Sequence, residues 1–234
     1  MARHIIEREA PKAGHIPVNI PPQKKYHTIL ADPPWTKNQC SRDGSYGSAI
    51  NHYSLMALER IKAMPVESLV ADDAHCYIWA MNGNIDEALE VMKAWGFRYI
   101  TKIDWIKPKM GVGNYWRNAS EVCLFGVRGK LPPKCRTQIN WFIDYPSGTH
   151  SEKPRQFISM LERVSPGPYL ELFCRKHPAS RKEWDCWGDQ TEGGADIYIP
   201  GYPVPKYSFE HTGTGENGAE SPTDATSEDG KEVQ

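Results

Sequence analysis

The sequence predicts an α/β domain with a largely parallel, doubly wound sheet. Runs of β-prone residues alternate along the chain with segments of helical period. Several of those runs, HCYIWA (75–80), EVCLFGV (121–127) and YLELFC (169–174), are almost continuously apolar, the pattern of strands buried on both faces. The length, 234 residues, fits one such domain with short appendages.

Residues 1–25 are Pro-rich (Pro11, Pro17, Pro21, Pro22) and read as an irregular arm on a domain spanning 26–207. Residues 26–31 (YHTILA) form a strand stopped by Asp32-Pro33-Pro34. A Gly/Ser/Asn-rich loop follows over 36–52. Ser54 is then placed to cap a short helix with Leu55, Leu58 and Ile61 on one face. After the strand at 75–80, Asn84 caps a helix with Glu87 at the capping-box position, Ile85, Leu89 and Met92 inward, and Gly96 as the stop. Strands at 99–106 and 121–127 flank a Gly-rich basic loop, 107–120, and 138–143 reads as a further short strand. Residues 151–164 form a helix with Pro154 in its first turn and Phe157, Met160, Leu161 and Val164 on one face. Past the Ser165-Pro166-Gly167 break come strands at 169–174 and 184–187. In such folds ligands bind beyond the carboxyl ends of strands. The functional expectation therefore falls on Asp32 to Trp35, Met81-Asn82-Gly83, Lys107-Pro108 and Arg175-Lys176-His177.

Charge is close to balanced, 28 Lys+Arg against 29 Asp+Glu, for a net −1. That argues against a polyanionic partner only if the charge is evenly spread, and it is not. Residues 208–234 hold one base and seven acids, a charge of −6, which leaves +5 on residues 1–207. The segment 208–234 is rich in Gly, Ser, Thr and Glu, and buries too little to offset its ordering entropy. It is expected to be a disordered acidic tail, either solubilising or interacting. Bases cluster in 105–143 as Lys107, Lys109, Arg117, Arg128, Lys130, Lys134 and Arg136, opposed by Glu121 alone and interleaved with Trp105, Tyr115, Trp116 and Trp141. Cations for phosphates with aromatics for stacking fit nucleic-acid contact; solvated loops over a Trp-rich core fit equally well. No apolar run is long enough for a membrane span, and residues 1–10 lack an apolar leader. Six widely spaced cysteines without a C-x-x-C pair point to a reducing, cytoplasmic setting and to neither a zinc ribbon nor a disulfide framework.

Several chemistries are poorly supported. Gly111-Val112-Gly113 is a lone G-x-G, Gly126 to Lys130 has the wrong spacing for a phosphate loop, and no G-x-S-x-G is present. His150-Ser151-Glu152 matches half of a zinc deaminase signature without the two following cysteines. The distinctive feature is Asp32-Pro33-Pro34-Trp35 at a strand's end. Two prolines fix φ and supply no N–H, so a carboxylate and a rigid backbone carbonyl sit side by side as two acceptors for the two hydrogens of an exocyclic amine, beside an indole. Such hydrogen bonds would localise the nitrogen lone pair for attack on a methyl donor. The same residues also make an ordinary Asp-Pro-Pro turn with a packed Trp.

The sequence resembles the DPPW-type N6-adenine methyltransferases, the family of the catalytic subunit of the mRNA adenosine methyltransferase and of smaller bacterial and phage proteins. The resemblance runs through ADPPW (31–35), YSLMALERI (53–61), YIWAMNG (77–83), WGFRYITKIDWIKP (95–108), SEVCLFGVRGK (120–130), HSEKP (150–154), MLERVSPGPYLELFCRKH (160–177) and WDCWGDQ (184–190). It implies a Rossmann-like S-adenosylmethionine-dependent methyltransferase fold in permuted order, with the amine-binding strand before the donor-binding one. By position, Asp32 and the Pro33 carbonyl, with Pro34, would hold the target amine. Trp35 and Tyr53 would border the base, and Glu121 would be an acid near it. Lys153 would pair with the donor carboxylate. Glu171, Arg175, His177, Asp189 and Gln190 would contact the donor.

Three departures from the family pattern are evident: Pro178-Ala179 after His177, Asp189 in place of Asn, and no acid in 11–25 to meet the donor adenine. The implied activity is methyl transfer to N6 of a flipped adenine in DNA, without a metal, by a monomer or homodimer. Lys107, Lys109, Arg117 and Lys130 would follow phosphates. An RNA adenosine methyltransferase and a non-catalytic nucleic-acid-binding partner of the same fold are the alternatives.

Overall fold

The computed structural model describes residues 16–17, 19–36, 56–111, 115–146, 152–176 and 183–211. Tyr53, Ser54 and His177, and with them their expected roles, lie outside these residues. In chain order the elements are β1 (Tyr26–Ala31), α1 (Leu58–Lys62), α2 (Val66–Leu69), β2 (Val70–Ala80), α3 (Ile85–Ala94), β3 (Arg98–Ile106), β4 (Ser120–Arg128), β5 (Trp141–Ile143), α4 (Arg155–Val164), β6 (Tyr169–Leu172) and β7 (Trp184–Trp187). They form one seven-stranded sheet in the order β5-β3-β4-β2-β1-β6-β7. β1 runs parallel to β2 and β6, β6 to β7, and β3 to β5, whereas β4 is antiparallel to both β2 and β3. From β1 the chain moves to one side through β2 and later returns to the other through β6. The crevice between β1 and β6 is therefore the switch point of the sheet, where open α/β folds bind ligands.

The two-residue period of the strands sorts side chains onto two faces. Ile29, Ala31, Cys76, Ile78, Ala80, Val122, Leu124, Leu170 and Leu172 pack with Ala88, Val91 and Met92 of α3. Leu30, Tyr77, Trp79, Trp105, Cys123 and Tyr169 pack on the opposite face with Phe157, Met160 and Leu161 of α4. Burial of both faces explains why the strands read as apolar runs.

The structure corrects several details. The short helix starts at Leu58, after Ala57 and beyond Ser54. A one-turn helix, α2, precedes β2, which begins five residues earlier than its apolar core because Asp72 and Asp73 interrupt the hydrophobic pattern. Asn84 sits at the N-cap of α3, but its side-chain oxygen accepts the Met81 N–H at 2.8 Å instead of capping the helix. Val91 and Met92 point inward, while Leu89 is exposed. Pro154 is the N-cap of α4 and not part of its first turn. β6 stops at Leu172 because Phe173 is left-handed, with φ 64°. The acidic tail does not begin at Ser208: Ser208–His211 forms a 3-10 turn, with Phe209 against the core and the Ser208 hydroxyl donating to Asp196 at 2.7 Å. Residues 195–207, which show no regular period, cover the α3 face near β6 and β7 through buried Ala195, Ile197, Ile199, Tyr202, Val204 and Tyr207. Among the described residues no helix is long and apolar enough to cross a membrane.

A buried polar network ties β2 to the end of α4. His75 Nε2–H donates to the Leu131 carbonyl at 3.0 Å, and Nδ1 meets the Ser165 hydroxyl at 2.7 Å, which also meets Tyr77 Oη at 2.7 Å. Burial holds the His75 imidazole below its ordinary pKa, although the Leu131 bond opposes the shift. A depressed histidine is neutral when folded, so the unfolded chain binds the proton first as the pH falls. Folding stability is expected to decline from about pH 6.5 downward. Melting temperature followed across pH 5–8 checks this; a flat profile below pH 6.5 would contradict it.

Candidate active site

Strand parity assembles a row of charge at one end of the sheet. Asp32 follows β1, Glu121 is the second residue of β4, and Lys107 follows β3. All three fall on the α4 face, in step with Leu30, Cys123 and Trp105. Because β4 runs backward, its beginning lies beside the ends of β2 and β3, and this brings Glu121 to the carboxyl edge. Lys153 enters from just before α4, over the same face. Its ammonium donates to Asp32 Oδ2 at 2.6 Å and lies 3.5 Å from Glu121 Oε2. Glu121 Oε1 accepts a hydrogen bond from Lys107. The row thus alternates Asp32, Lys153, Glu121, Lys107, over a floor of aromatic rings. Lys153 Nζ is 5.5 Å from the centre of Trp79, and Lys107 Nζ is 4.3 Å from that of Trp105, as cation–π contacts.

These side chains are largely but not fully shielded: 29% of Asp32, 19% of Lys153 and 20% of Glu121 is exposed. Desolvation pulls the Lys153 ammonium down, but Asp32 and Glu121 outweigh it and hold the amine above its ordinary pKa. Desolvation likewise pushes Glu121 up, and Lys153 and Lys107 outweigh it and hold the carboxyl below its ordinary range. Glu121 and Lys153 are therefore charged at neutral pH. Each stabilises the other's charge.

The Asp-Pro-Pro-Trp segment leaves β1 with its backbone pinned. The Pro33 carbonyl accepts the Trp35 N–H at 2.9 Å, and the Pro34 carbonyl accepts the Met56 N–H at 3.0 Å. A carbonyl oxygen has two lone pairs, so Pro33 keeps one for a ligand. Trp35, expected to border the base, is anchored in the core. It is only 5% exposed, packs in the α3-side core and donates its indole N–H to the Trp79 carbonyl at 3.1 Å. It anchors the turn.

The other half of the site lies across the switch point. Ala31 pairs with Leu172, and the Asp32 N–H reaches the Leu172 carbonyl at 3.5 Å, so the left-handed Phe173 adjoins Asp32. A non-glycine residue held at positive φ stores backbone strain of about 1–3 kcal/mol and is characteristic of functional turns. Arg175 follows, close enough for its charge to act on both Lys153 and Asp189. Desolvation pushes the Asp189 carboxyl up, partly offset by the Asp189 and Gln190 N–H groups and Arg175. Asp189 and Gln190 are exposed just after β7.

Glu171, within β6, forms a separate group with Cys174 and Cys186, whose ligand atoms lie within 4.8 Å of one another, a set able in principle to hold a metal ion. The hydrogen bond to Cys174 and burial push the Cys186 thiol far up, so it is protonated and inert in the absence of a metal.

Not every expected residue joins this site. β4 carries the chain away from the edge by about 24 Å between Glu121 and Arg128, so Lys130, in the turn that follows, lies at the opposite end of the sheet. There its backbone N–H bonds Asp73. Lys134 instead donates to the Glu162 carbonyl at the end of α4. Lys107 pairs with Glu121 within the charged row. Lys109 and Arg117 are exposed, on the loop between β3 and β4. Two features of the site carry no signal in the sequence. The αL turn at Phe173 has no glycine to mark it, and Trp79 of the floor resembles any core tryptophan.

The MT-A70 family matches residues 26–190, which contain every strand and the whole charged row. The chain is 29% identical over 185 residues to the type II methyltransferase M.MunI of Mycoplasma sp, covering 71% of this chain and 78% of that protein. It is 27% identical over 179 residues to the N(6)-adenosine-methyltransferase catalytic subunit METTL3 of Homo sapiens, covering 72% of this chain but 29% of that protein. A putative N(6)-adenosine-methyltransferase MT-A70-like protein of Medicago truncatula is 28% identical over 178 residues, with 72% of this chain and 27% of that one covered. With the match spanning both halves of the switch point, the chain belongs to the MT-A70 family of adenine-N6 methyltransferases.

Proposed function

We propose that the chain transfers a methyl group from S-adenosylmethionine to N6 of an adenine flipped out of DNA. The observation that carries this reading is the pinned Asp32–Pro33 pair of acceptors beside Lys153 at the β1/β6 switch point. Asp32 Oδ2 is held by Lys153, which leaves Oδ1 to accept one amine hydrogen while the free lone pair of Pro33 accepts the other. The adenine N6 lone pair is delocalised into the ring. Two fixed acceptors rotate it out of conjugation and aim it. S-adenosylmethionine supplies, when bound, an electrophilic methyl group on a positively charged sulfur. Asp32 is then the nearest base for the proton that the methylated nitrogen sheds.

The residues present fit that donor. Lys153 has three N–H groups and uses two on Asp32 and Glu121, so a third remains for a carboxylate. Arg175 and Asp189 stand beside it for the ribose and amino-acid ends. Trp79 Nε1, in the wall under Lys153, is buried without a partner among the described residues, a donor left over in the site. Gly188 sets the width of this half. A Cβ there would meet the Cys174 carbonyl oxygen at 2.3 Å and its nitrogen at 2.9 Å, while the Cys174 N–H bonds the Trp187 carbonyl at 3.0 Å. Gly188→Ala must push the exits of β6 and β7 apart, and with them Arg175 and Asp189. It is expected to weaken donor binding about 10-fold or more; calorimetric titration with S-adenosylmethionine reads this, and unchanged affinity would contradict it.

DNA is favoured because the chain spans 78% of a type II methyltransferase but only about a quarter of the N(6)-adenosine-methyltransferase relatives. Those relatives support RNA as the alternative polymer. Incubation with methyl-labelled donor and either duplex DNA or RNA decides between them: label in DNA is expected, and label in RNA alone overturns the choice of polymer.

A further inference from the structure

Between β3 and β4 the chain leaves the sheet as a ribbon. The Lys107 N–H donates to the Ala119 carbonyl at 2.7 Å, one step beyond the β3–β4 ladder, and the Gly111 N–H to the Asn118 carbonyl at 2.8 Å, three residues out of that register, so two bonds join the sides of the arm beyond the strands. The two sides approach closely enough that a Cβ on Gly111 would lie 2.7 Å from the Asn118 carbonyl oxygen. Asn82, after β2, donates to the Asn118 side chain at 3.4 Å and to the Ser120 carbonyl at 3.3 Å, which fastens the root of the ribbon to the sheet edge. On this rooted arm Tyr115 is 99% exposed, Trp116 86% and Met110 72%. Lys109 and Arg117 are exposed beside them, and the sequence 107–120 contains no acidic residue.

Two adjacent, fully solvated aromatics bury nothing in the fold, so they contribute nothing to its stability. Large exposed apolar groups of this kind mark contact surfaces. The cations around them exclude a basic partner and favour a polyanion, and neighbouring cation and aromatic groups are the pairing that holds a nucleic-acid strand, phosphates on one and base faces on the other. Placement agrees. The root of the arm is Lys107 and Glu121, members of the charged row: Lys107, after β3, is three strand spacings or about 14 Å from Asp32, and Glu121, on β4, shares Lys153 with it. A strand lying on the arm is within a few nucleotides of the amine-binding pair.

We propose that Tyr115 and Trp116 are the nucleobase-stacking residues that hold the substrate strand beside Asp32 while the target adenine is out of the stack. Lys109 and Arg117 supply its phosphate contacts. The inference rests on the nucleic-acid reading above and adds to it the element that positions the polymer. It also divides the basic region of the sequence in two. The arm faces the substrate, whereas Lys130 and Lys134 serve the far edge and the end of α4.

The test uses the full chain, duplex DNA free of N6-methyladenine and labelled donor. Trp116→Ala is expected to raise KM for DNA about 10-fold, with donor affinity unchanged and the salt dependence of DNA binding unchanged in slope. Lys109→Ala is expected to make that slope shallower by about one unit. Trp116→Phe should restore KM, because a phenyl face still stacks. Tryptophan emission should be quenched on DNA addition by an increment that Trp116→Phe lacks. With 86% of Trp116 in solvent, the melting temperature should not move. An unchanged KM in Trp116→Ala, in a wild-type chain that methylates DNA, overturns the arm and leaves the activity standing. DNA-dependent quenching of Trp116 in a wild-type chain that transfers no methyl group overturns the activity and leaves the arm. Absence of both quenching and transfer overturns both.

Discussion

Asp32→Asn is expected to lower kcat for methyl transfer by about 10³-fold or more. The change is nearly isosteric, yet it replaces an anionic acceptor with an amide whose nitrogen can only donate, and it takes away one of the two carboxylates that hold Lys153. The amine then has one acceptor instead of two, and the proton shed by the methylated nitrogen loses its base. Donor binding is expected to survive in weaker form, because Arg175, Asp189 and the αL turn at Phe173 lie on the other side of the switch point. Single-turnover transfer with saturating donor separates the two effects. A variant that retains kcat and loses only donor affinity would show that Asp32 serves the donor and not the amine.

Lys153→Met carries the other large effect. Among the described residues the lysine is the one cation that bridges the two carboxylates, 2.6 Å from Asp32 and 3.5 Å from Glu121. Its removal leaves Asp32 facing Glu121 across the Trp79 ring, with Lys107 neutralising only Glu121. Breaking a fully buried pair costs about 3–5 kcal/mol. With these side chains one-fifth to one-third exposed, solvent screens part of this, and a loss of about 1–3 kcal/mol in folding stability is expected. Donor affinity should fall much further, since the donor carboxylate would enter a site with a net excess of negative charge. Urea denaturation and calorimetry read the two quantities. Unimpaired donor affinity would remove Lys153 from the binding site.

Much of this arrangement is legible in the sequence, for reasons that differ by residue. The β1, β2, β4 and β6 runs are visible because both faces of the sheet are covered, which makes their cores continuously apolar. Asp32 is visible because two prolines after a strand leave few other conformations. Glu121 escapes the rule that functional residues follow strands, since it lies at the start of one. It reaches the site only because β4 is antiparallel, and a short apolar run does not encode its direction. The same reversal explains why Lys130, which composition groups with the rest of 105–143, lies apart from the charged row: the sheet sends the two ends of β4 to opposite edges. Residues 195–207 are opaque because they pack through irregular turns, with no period for a pattern to reveal. The net charge of −1 conceals the basic arm for a related reason. It sums the bases of 1–207 with the seven acids of 208–234.

The most direct measurement is the identity of the methylated atom. Duplex DNA incubated with the full chain and methyl-labelled S-adenosylmethionine, then digested to nucleosides, is expected to yield its label as N6-methyldeoxyadenosine, and to yield none with Asp32→Asn. Label on a cytosine or on a ring nitrogen, or N6-methyldeoxyadenosine at wild-type level from the Asp32→Asn chain, would contradict the placement of the amine between Asp32 and Pro33.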